Sequence, residues 1–178
     1  VVNGLYAIGE TAYTGLHGAN RLGGNGVANS TVFGGIAGDE MAAWVRASGV
    51  WREPDEAAMT RSVDEHEAPF ARPAGNLEAI REALFECMWH DVGILRTASG
   101  LQRALHRLDE LDVRLASTGV ADGDRAFNLS WHDWINLRSL IAVSRVIATS
   151  ALAREDSRGA HFREDHPETG DLPSSTYI

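Results

Sequence analysis

The chain has 178 residues, enough for one or two small domains around a sizeable core. Its 44% hydrophobic and 23% charged residues are the composition of a globular protein and exclude a disordered one. A formal net charge of -9 argues against general nucleic-acid binding, because neutralising phosphates needs a surplus of Lys and Arg.

In chain order, Gly4 to Ile8 reads as a brief apolar strand that ends at Gly9-Glu10. A glycine-rich segment follows, with Gly15, Gly18, Gly23, Gly24 and Gly26. These glycines permit positive φ and close backbone approach, and they disfavour a helix across the segment. Asn29-Ser30-Thr31 offers caps for the next helix. Val32, Phe33, Ile36, Ala37, Met41 and Trp44 then recur at helical spacing. Gly34, Gly35 and Gly38 weaken that helix by about 1 kcal/mol each relative to Ala, which close packing against a neighbour or ligand would explain.

Gly49 to Asp55 breaks the pattern, and Asp55 to Glu67 predicts a largely polar helix. Pro69 to Gly75 reads as a loop. Asn76 then caps a helix whose apolar face is Leu77, Ile80, Leu84, Cys87 and Met88, ended or interrupted by Gly93. Ser99 is the expected cap of the next helix, with Leu101, Leu105, Leu108, Leu111 and Leu115 on one side. After a glycine- and aspartate-rich connection, the last long helix runs from about Ser130 or Trp131 to Ala153. Its expected buried face is Trp134, Leu137, Ile141, Ile147 and Ala151. Beyond Arg154 the chain is charged and then punctuated by Pro167 and Pro173, the pattern of an extended tail.

No apolar run approaches the ~20 residues that span a bilayer, so no transmembrane segment is expected. The chain opens on Val1 with no basic-then-apolar secretory signal, and both ends predict a piece of a longer chain. The single cysteine, Cys87, can form no internal disulfide, which suits a reducing compartment. Its place on an apolar helix face predicts a small buried hydrophobe rather than a nucleophile. His90-Asp91 and His132-Asp133 lack a third partner and read as helix-surface residues. His161 and His166 lack the spacing and the further ligand of a metal site, so no metal is expected.

Three segments, in order, carry a resemblance. Gly4-Leu5-Tyr6-Ala7-Ile8-Gly9-Glu10 with His17-Gly18-Ala19-Asn20-Arg21-Leu22-Gly23-Gly24-Asn25 resembles the end of the FAD-binding domain in the succinate dehydrogenase, fumarate reductase and L-aspartate oxidase flavoproteins. Met88-Trp89-His90-Asp91-Val92-Gly93-Ile94-Leu95-Arg96 resembles the middle of their C-terminal helical domain. Asp156-Ser157-Arg158-Gly159-Ala160-His161-Phe162-Arg163-Glu164-Asp165-His166-Pro167 resembles the segment that closes it.

The resemblance implies a mainly α fold: a three- to four-helix bundle preceded by a short remnant of an α/β FAD-binding domain. The corresponding boundaries are 1–48 for the remnant, 49–153 for the bundle and 154–178 for the charged tail. It implies FAD as cofactor in the intact parent and little or no activity in this chain alone. Glu10 matches an acidic residue on the FAD ribose, a role for which a hydrogen-bond-accepting carboxylate is suited. Arg21 matches the arginine that grips a substrate carboxylate, for which a planar permanent cation is suited. Gly26 and Val27 match positions whose backbone amides face the flavin pyrimidine ring. Arg158, His161 and Arg163 are the expected docking residues between bundle and flavin domain.

The chain departs from the family at two places. Asn25-Gly26-Val27 stands where Asn-Ser-Leu is usual, and Asn29 stands where an acid is usual. The dinucleotide fingerprint and the remaining substrate-binding and proton-delivering residues are absent from these 178 residues.

The glycine segment lacks the Gly-Lys-Ser/Thr ending of a P-loop. Three readings stand side by side: part of a succinate or fumarate enzyme, part of an aspartate or other carboxylate oxidase, or a non-catalytic helical docking module. The implied partners are an upstream FAD-binding domain and an iron-sulfur subunit, at a cytoplasmic location peripheral to the inner face of a membrane. Val32, Phe33 and Ile36 would be uncovered in the isolated chain, which predicts disorder of residues 1–48 or a homodimer that covers them.

Overall fold

A computed structural model of the chain describes residues 4–18, 21, 23–49 and 53–171. It divides into two compact units, Val1–Pro54 and Asp55–Ile178.

In the first unit, residues 4–8 form a turn at Gly4 and an irregular segment that pairs with no strand among the described residues. The expected strand is therefore absent, because a strand needs a neighbouring ladder to satisfy its amides and carbonyls. A short 3-10 turn, Gly9–Thr11, follows. Gly9 sits at φ 69, and a Cβ there would fall 2.8 Å from Ser30 Oγ. Only glycine meets both demands without rearrangement.

Helix α1 (Asn25–Ser48) starts four residues before the expected caps, at Gly24, which provides no side-chain cap. Ser30 and Thr31 are inside the helix, and their hydroxyls donate back to Gly26 O at 2.9 Å and Val27 O at 3.0 Å. This alternative use of a short hydroxyl side chain explains why the caps were misplaced. Gly49, at φ 36, ends the helix in the left-handed conformation. Residues 25–48 thus hold a formed helix, with Val32 and Ile36 exposed.

The second unit is helical. Helix α2 (Glu56–Glu67) is capped by Asp55, whose side chain accepts from Ala58 N, and it buries no residue. The 3-10 turn Ala68–Ala71 leads to α3 (Leu77–Asp91), capped by Asn76. Helix α4 (Ala98–Ala116) is capped by Thr97 rather than Ser99: the Thr97 hydroxyl accepts from Gly100 N at 3.1 Å. Helix α5 (Leu129–Ala153) is capped by Asn128. Strands β1 (Leu95–Arg96) and β2 (Phe162–Arg163) pair in parallel, Leu95 opposite Phe162 and Arg96 opposite Arg163.

The core lies between α3, α4 and α5. Ile80, Leu84 and Cys87 from α3 meet Leu101, Leu108, Leu111 and Leu115 from α4, and Trp134, Leu137 and Ile141 from α5. This is the expected mainly α fold. One position on α5 differs from expectation: Ile147 is 43% exposed, while Ser144 and Ala148 turn inward. A helix of 3.6 residues per turn drifts off a strict repeat over this length, which moves the inward stripe by one residue.

By length and composition alone α5 could cross a membrane. Trp134, Leu137, Ile141, Ala148 and Ala151 face the core, Leu140, Val143, Val146 and Ile147 are exposed, and Arg138 and Arg145 pair with Glu65, Asp109 and Asp112. Cys87 is buried, its thiol pushed up by desolvation and directed at Ala104 O. His90 and His132 are exposed as expected and Asp133 is half-exposed in a pair with Arg81, whereas Asp91 is largely covered and pairs with Arg103.

The turn after α4 is tightly packed. Gly119 N donates to Pro73 O at 2.8 Å, and a Cβ on Gly119 would fall 2.2 Å from Arg72 O and 2.7 Å from Pro69 O. Gly119→Ala is expected to destabilise the chain by about 1–3 kcal/mol, since backbone rather than a flexible side chain must give way. Urea denaturation measures this, and an unchanged midpoint would rule the clash out.

Candidate functional site

Two regions hold the candidate residues, one in each unit. In the first, the glycine-rich chain turns into the start of α1. Gly26 is buried there, with its amide 3.3 Å from Gly23 O, whereas Val27 is 77% exposed. No acidic residue lies in the first turn of α1. The partial positive charge of the helix start is therefore not neutralised locally. A Cβ at Gly23 or Gly24 would meet no described atom within 4 Å. Crowding inside the described unit is thus not what calls for glycine at these two positions.

Arg21 is half-buried. Its Nη2 donates to Gly9 O and Ala12 O, both at 3.3 Å, and so ties the glycine segment to the 3-10 turn. Asn29, buried on α1, lies 2.6 Å from His17 Nε2 and fixes the glycine segment a second time. A structural hydrogen bond is therefore what His17 makes. Glu10 belongs to the same 3-10 turn, and its side chain lies outside the described residues. Arg21, Gly26 and the backbone of Glu10 thus share one small unit with the start of α1.

The second region is the segment after α5. Composition marks it as charged, yet Asp156, Ser157, His161 and Arg163 are all buried. Arg163, 1% exposed, donates through Nη1 to the carbonyls of Ala151, Leu152 and Arg154 at 3.0, 3.1 and 2.9 Å. These are the orphan carbonyls at the end of α5. Its Nε and Nη2 form a two-pronged pair with Asp165 at 2.8 and 2.9 Å. Asp165 in turn accepts from Ala98 N, at the start of α4, at 2.7 Å. Arg163 and the Ala98 amide together hold the Asp165 carboxyl far below the usual carboxylate range.

Arg96 secures the turn that follows α3: its Nε donates to the carbonyls of Val92, the C-cap of α3, and Gly93 at 3.0 and 2.9 Å. Its Nη1 lies 2.7 Å from His161 Nδ1. Arg158 is more exposed and donates to Asp156 at 3.4 Å and to Gly170 O at 2.6 Å. Burial would raise the Asp156 carboxyl, but hydrogen bonds and charge from Arg154 and Arg158 bring it below its usual range. The three named docking residues thus sit together, and His161 and Arg163 face the helix ends of their own unit. Sequence reasoning missed Arg96, Asp156 and Asp165 as members of this cluster. All three fall inside the quoted motifs, so motif membership was the available signal. No group of three metal-ligating side chains occurs among the described residues.

The chain resembles known proteins along nearly all of its length. L-aspartate oxidase 1 of Ralstonia nicotianae is 39% identical over 171 residues, covering 94% of this chain and 29% of that protein. The fumarate reductase flavoprotein subunit of Haemophilus influenzae is 36% identical over 174 residues, covering 96% of this chain and 29% of that protein. Among solved structures, the Mycobacterium smegmatis Sdh1 complex in the apo form matches with a TM-score of 0.85 and 41% identity, over 94% of this chain and 28% of that one. A quinol-fumarate reductase with menaquinol molecules matches with a TM-score of 0.87 and 34% identity, over 97% of this chain and 30% of that one. The chain therefore spans less than a third of the length of the curated relatives it matches. Residues 1–27 match an FAD binding domain, and residues 81–174, more than half of the chain, match the fumarate reductase flavoprotein C-terminal family, to which the chain belongs.

Proposed function

We propose that this chain is the C-terminal portion of an FAD-dependent oxidoreductase acting on a dicarboxylate of the succinate and fumarate type, and that it is inactive alone. The observation that carries this reading is the FAD binding domain match over residues 1–27, which holds Glu10, Arg21, Gly26 and Val27. The uncapped, acid-free start of α1 suits an electron-rich group. The backbone amides of Gly26 and Val27 would face the pyrimidine end of the flavin, that of Gly26 exchanging its 3.3 Å bond to Gly23 O for the ligand, and Glu10 would accept hydrogen bonds from its ribose. FAD, when bound, supplies the hydride chemistry. Arg21, anchored by Nη2 on two carbonyls, would present its remaining N–H groups to a substrate carboxylate, orienting it and drawing charge toward it.

The upstream FAD-binding domain is the first partner in this reading, and it would cover the exposed side of α1. Arg158, the exposed member of the cluster, would reach the docking surface, while His161 and Arg163 would hold its segment in place from within the bundle. An iron-sulfur subunit is the second partner, supported by the likeness to the Mycobacterium smegmatis Sdh1 complex. A cytoplasmic location at the inner face of a membrane follows from such a partner. In the isolated chain a homodimer would cover α1 instead. The similarity to L-aspartate oxidase 1 of Ralstonia nicotianae favours a second reading, oxidation of an amino acid with a second carboxylate.

The test is an absorbance spectrum followed by turnover. The purified chain is expected to show no flavin bands. Joined to its native upstream sequence, it is expected to bind FAD and to turn over succinate and fumarate, or L-aspartate under the second reading. In that protein Arg21→Met is expected to keep the flavin and to raise the KM for the carboxylate substrate tenfold or more. Stoichiometric FAD on the chain alone would overturn the claim that it is inactive by itself. An unchanged KM would remove Arg21 from the substrate site.

A further inference from the structure

His161 is 8% exposed, with the guanidinium of Arg96 against its ring. From β1, Arg96 places Nη1 2.7 Å from Nδ1. From the end of α5, Arg154 presents its carbonyl 3.4 Å from Nε2. Arg163 from β2 and the side chain of Arg154 add their positive charge. Arg158 is joined to His161 by backbone hydrogen bonds in both directions, at 2.8 and 3.0 Å. Of the nearby carboxylates, Asp156 is paired with Arg154 and Arg158, Asp165 with Arg163 and the Ala98 amide, and Glu155 acts on Arg163.

This geometry fixes the tautomer. A guanidinium has donors and no acceptor, so Nδ1 must carry its lone pair toward Arg96. The proton is then on Nε2, facing the Arg154 carbonyl. Imidazolium cannot occupy this place as it stands. Both ring nitrogens would then be donors, and Nδ1–H would meet Arg96 Nη1–H in a buried position between like charges.

The same contact is a mechanical joint. Arg96 holds the turn after α3 through Val92 O and Gly93 O, and His161 belongs to the segment that Arg163 fastens to the end of α5. We propose that the Arg96–His161 contact is a proton-operated latch, shut while the imidazole is neutral and opened when it takes up a proton, which loosens residues 156–166 from the ends of α3 and α5. The latch is a property of the second unit alone and does not depend on flavin or substrate.

The direction of the pH dependence supports it. Burial lowers the His161 pKa from its ordinary 6.5; the Arg154 carbonyl opposes this, while the charges of Arg96, Arg154 and Arg163 reinforce it. The folded chain therefore binds fewer protons at this site than the unfolded chain. The stabilisation is complete above the unfolded value near 6.5 and is lost as pH falls through the lower folded value. Asp156 and Asp165, both lowered, lose their own contributions only in more acidic solution.

The test uses the 178-residue chain. Histidine-selective nitrogen NMR at pH 6.5 is expected to show His161 as the neutral tautomer protonated on Nε2. Charge should appear only at lower pH, together with faster amide exchange in residues 156–166. In urea titrations the folded-to-unfolded ratio is expected to fall by up to about tenfold per pH unit below 6.5, the limit for one proton. His161→Asn, whose amide oxygen can still accept from Arg96, is expected to flatten that fall. An imidazolium or an Nδ1-protonated ring at pH 6.5 would overturn the latch, as would amide exchange in 156–166 that ignores the titration of His161. The spectrum needs no variant, so a misfolded His161→Asn leaves the idea falsifiable.

Discussion

Replacing Arg163 with Met is expected to destabilise the chain by about 1–3 kcal/mol, the range for leaving buried hydrogen-bonding groups unsatisfied. Arg163 is almost wholly buried and its side chain makes five hydrogen bonds, three to carbonyls at the end of α5 and two to Asp165. Met fills much of the same volume but satisfies none of these groups. The carbonyls of Ala151, Leu152 and Arg154 lose a charged donor, and Asp165 loses its counterion. Lys restores the charge but not the planar fork, so Arg163→Lys is expected to recover only part of the loss. Urea denaturation at pH 7.5 measures both variants. A loss below about 1 kcal/mol for Arg163→Met would mean that solvent replaces these bonds, as it does at exposed pairs.

The same substitution changes the acid limb of stability. Asp165 is lowered first by Arg163 and then by the Ala98 amide. A lowered carboxylate stabilises the fold above its unfolded pKa, and this stabilisation fades as pH falls toward the folded value. Without Arg163 most of that lowering disappears, so the variant is expected to lose less further stability than the parent between pH 5 and pH 3. Parallel acid limbs for parent and variant would contradict the assigned pairing.

Leu137→Ala is expected to cost about 2–5 kcal/mol. Leu137 is 0% exposed on α5, inside the cluster that α3, α4 and α5 share. Removing the side chain loses its transfer free energy and leaves a cavity between three helices, which relaxes only in part. Val113 on α4 is 70% exposed, and Val113→Ala is expected to stay within about 0.5 kcal/mol of the parent. Equal effects at the two positions would mean that the three-helix packing is misassigned.

Much of the second unit was legible in the sequence because its signals are local. The leucines of α4 repeat on one face, and Asn76 stands immediately before α3 as its cap, so neither reading needs knowledge of distant residues. Where local signals compete, the reading failed. Ser30 and Thr31 are good caps in isolation, but inside α1 their hydroxyls turn back on the helix. Thr97 took the capping role expected of Ser99, since both are acceptable and only the path of the chain after β1 separates them. Gly4 to Ile8 has a strand's composition, but a strand exists only with a partner.

The candidate residues divide in the same way. Glu10, Arg21, Gly26 and Val27 were named from a contiguous motif, and the likeness to FAD binding domains covers that stretch. The sequence by itself also determined the mainly helical class, the apolar faces of α3 and α4 and the family. Periodicity, caps and motif order are written along a single segment of chain. Only the tertiary structure decided that the charged segment after α5 is buried, and that Arg163 and Asp165 join the end of α5 to the start of α4. It also decided that Arg96 meets His161 across 65 residues of sequence. The physical reason is that burying a charge is favourable only where its partners converge, and those partners are helix-end carbonyls and amides that lie far apart until the helices pack.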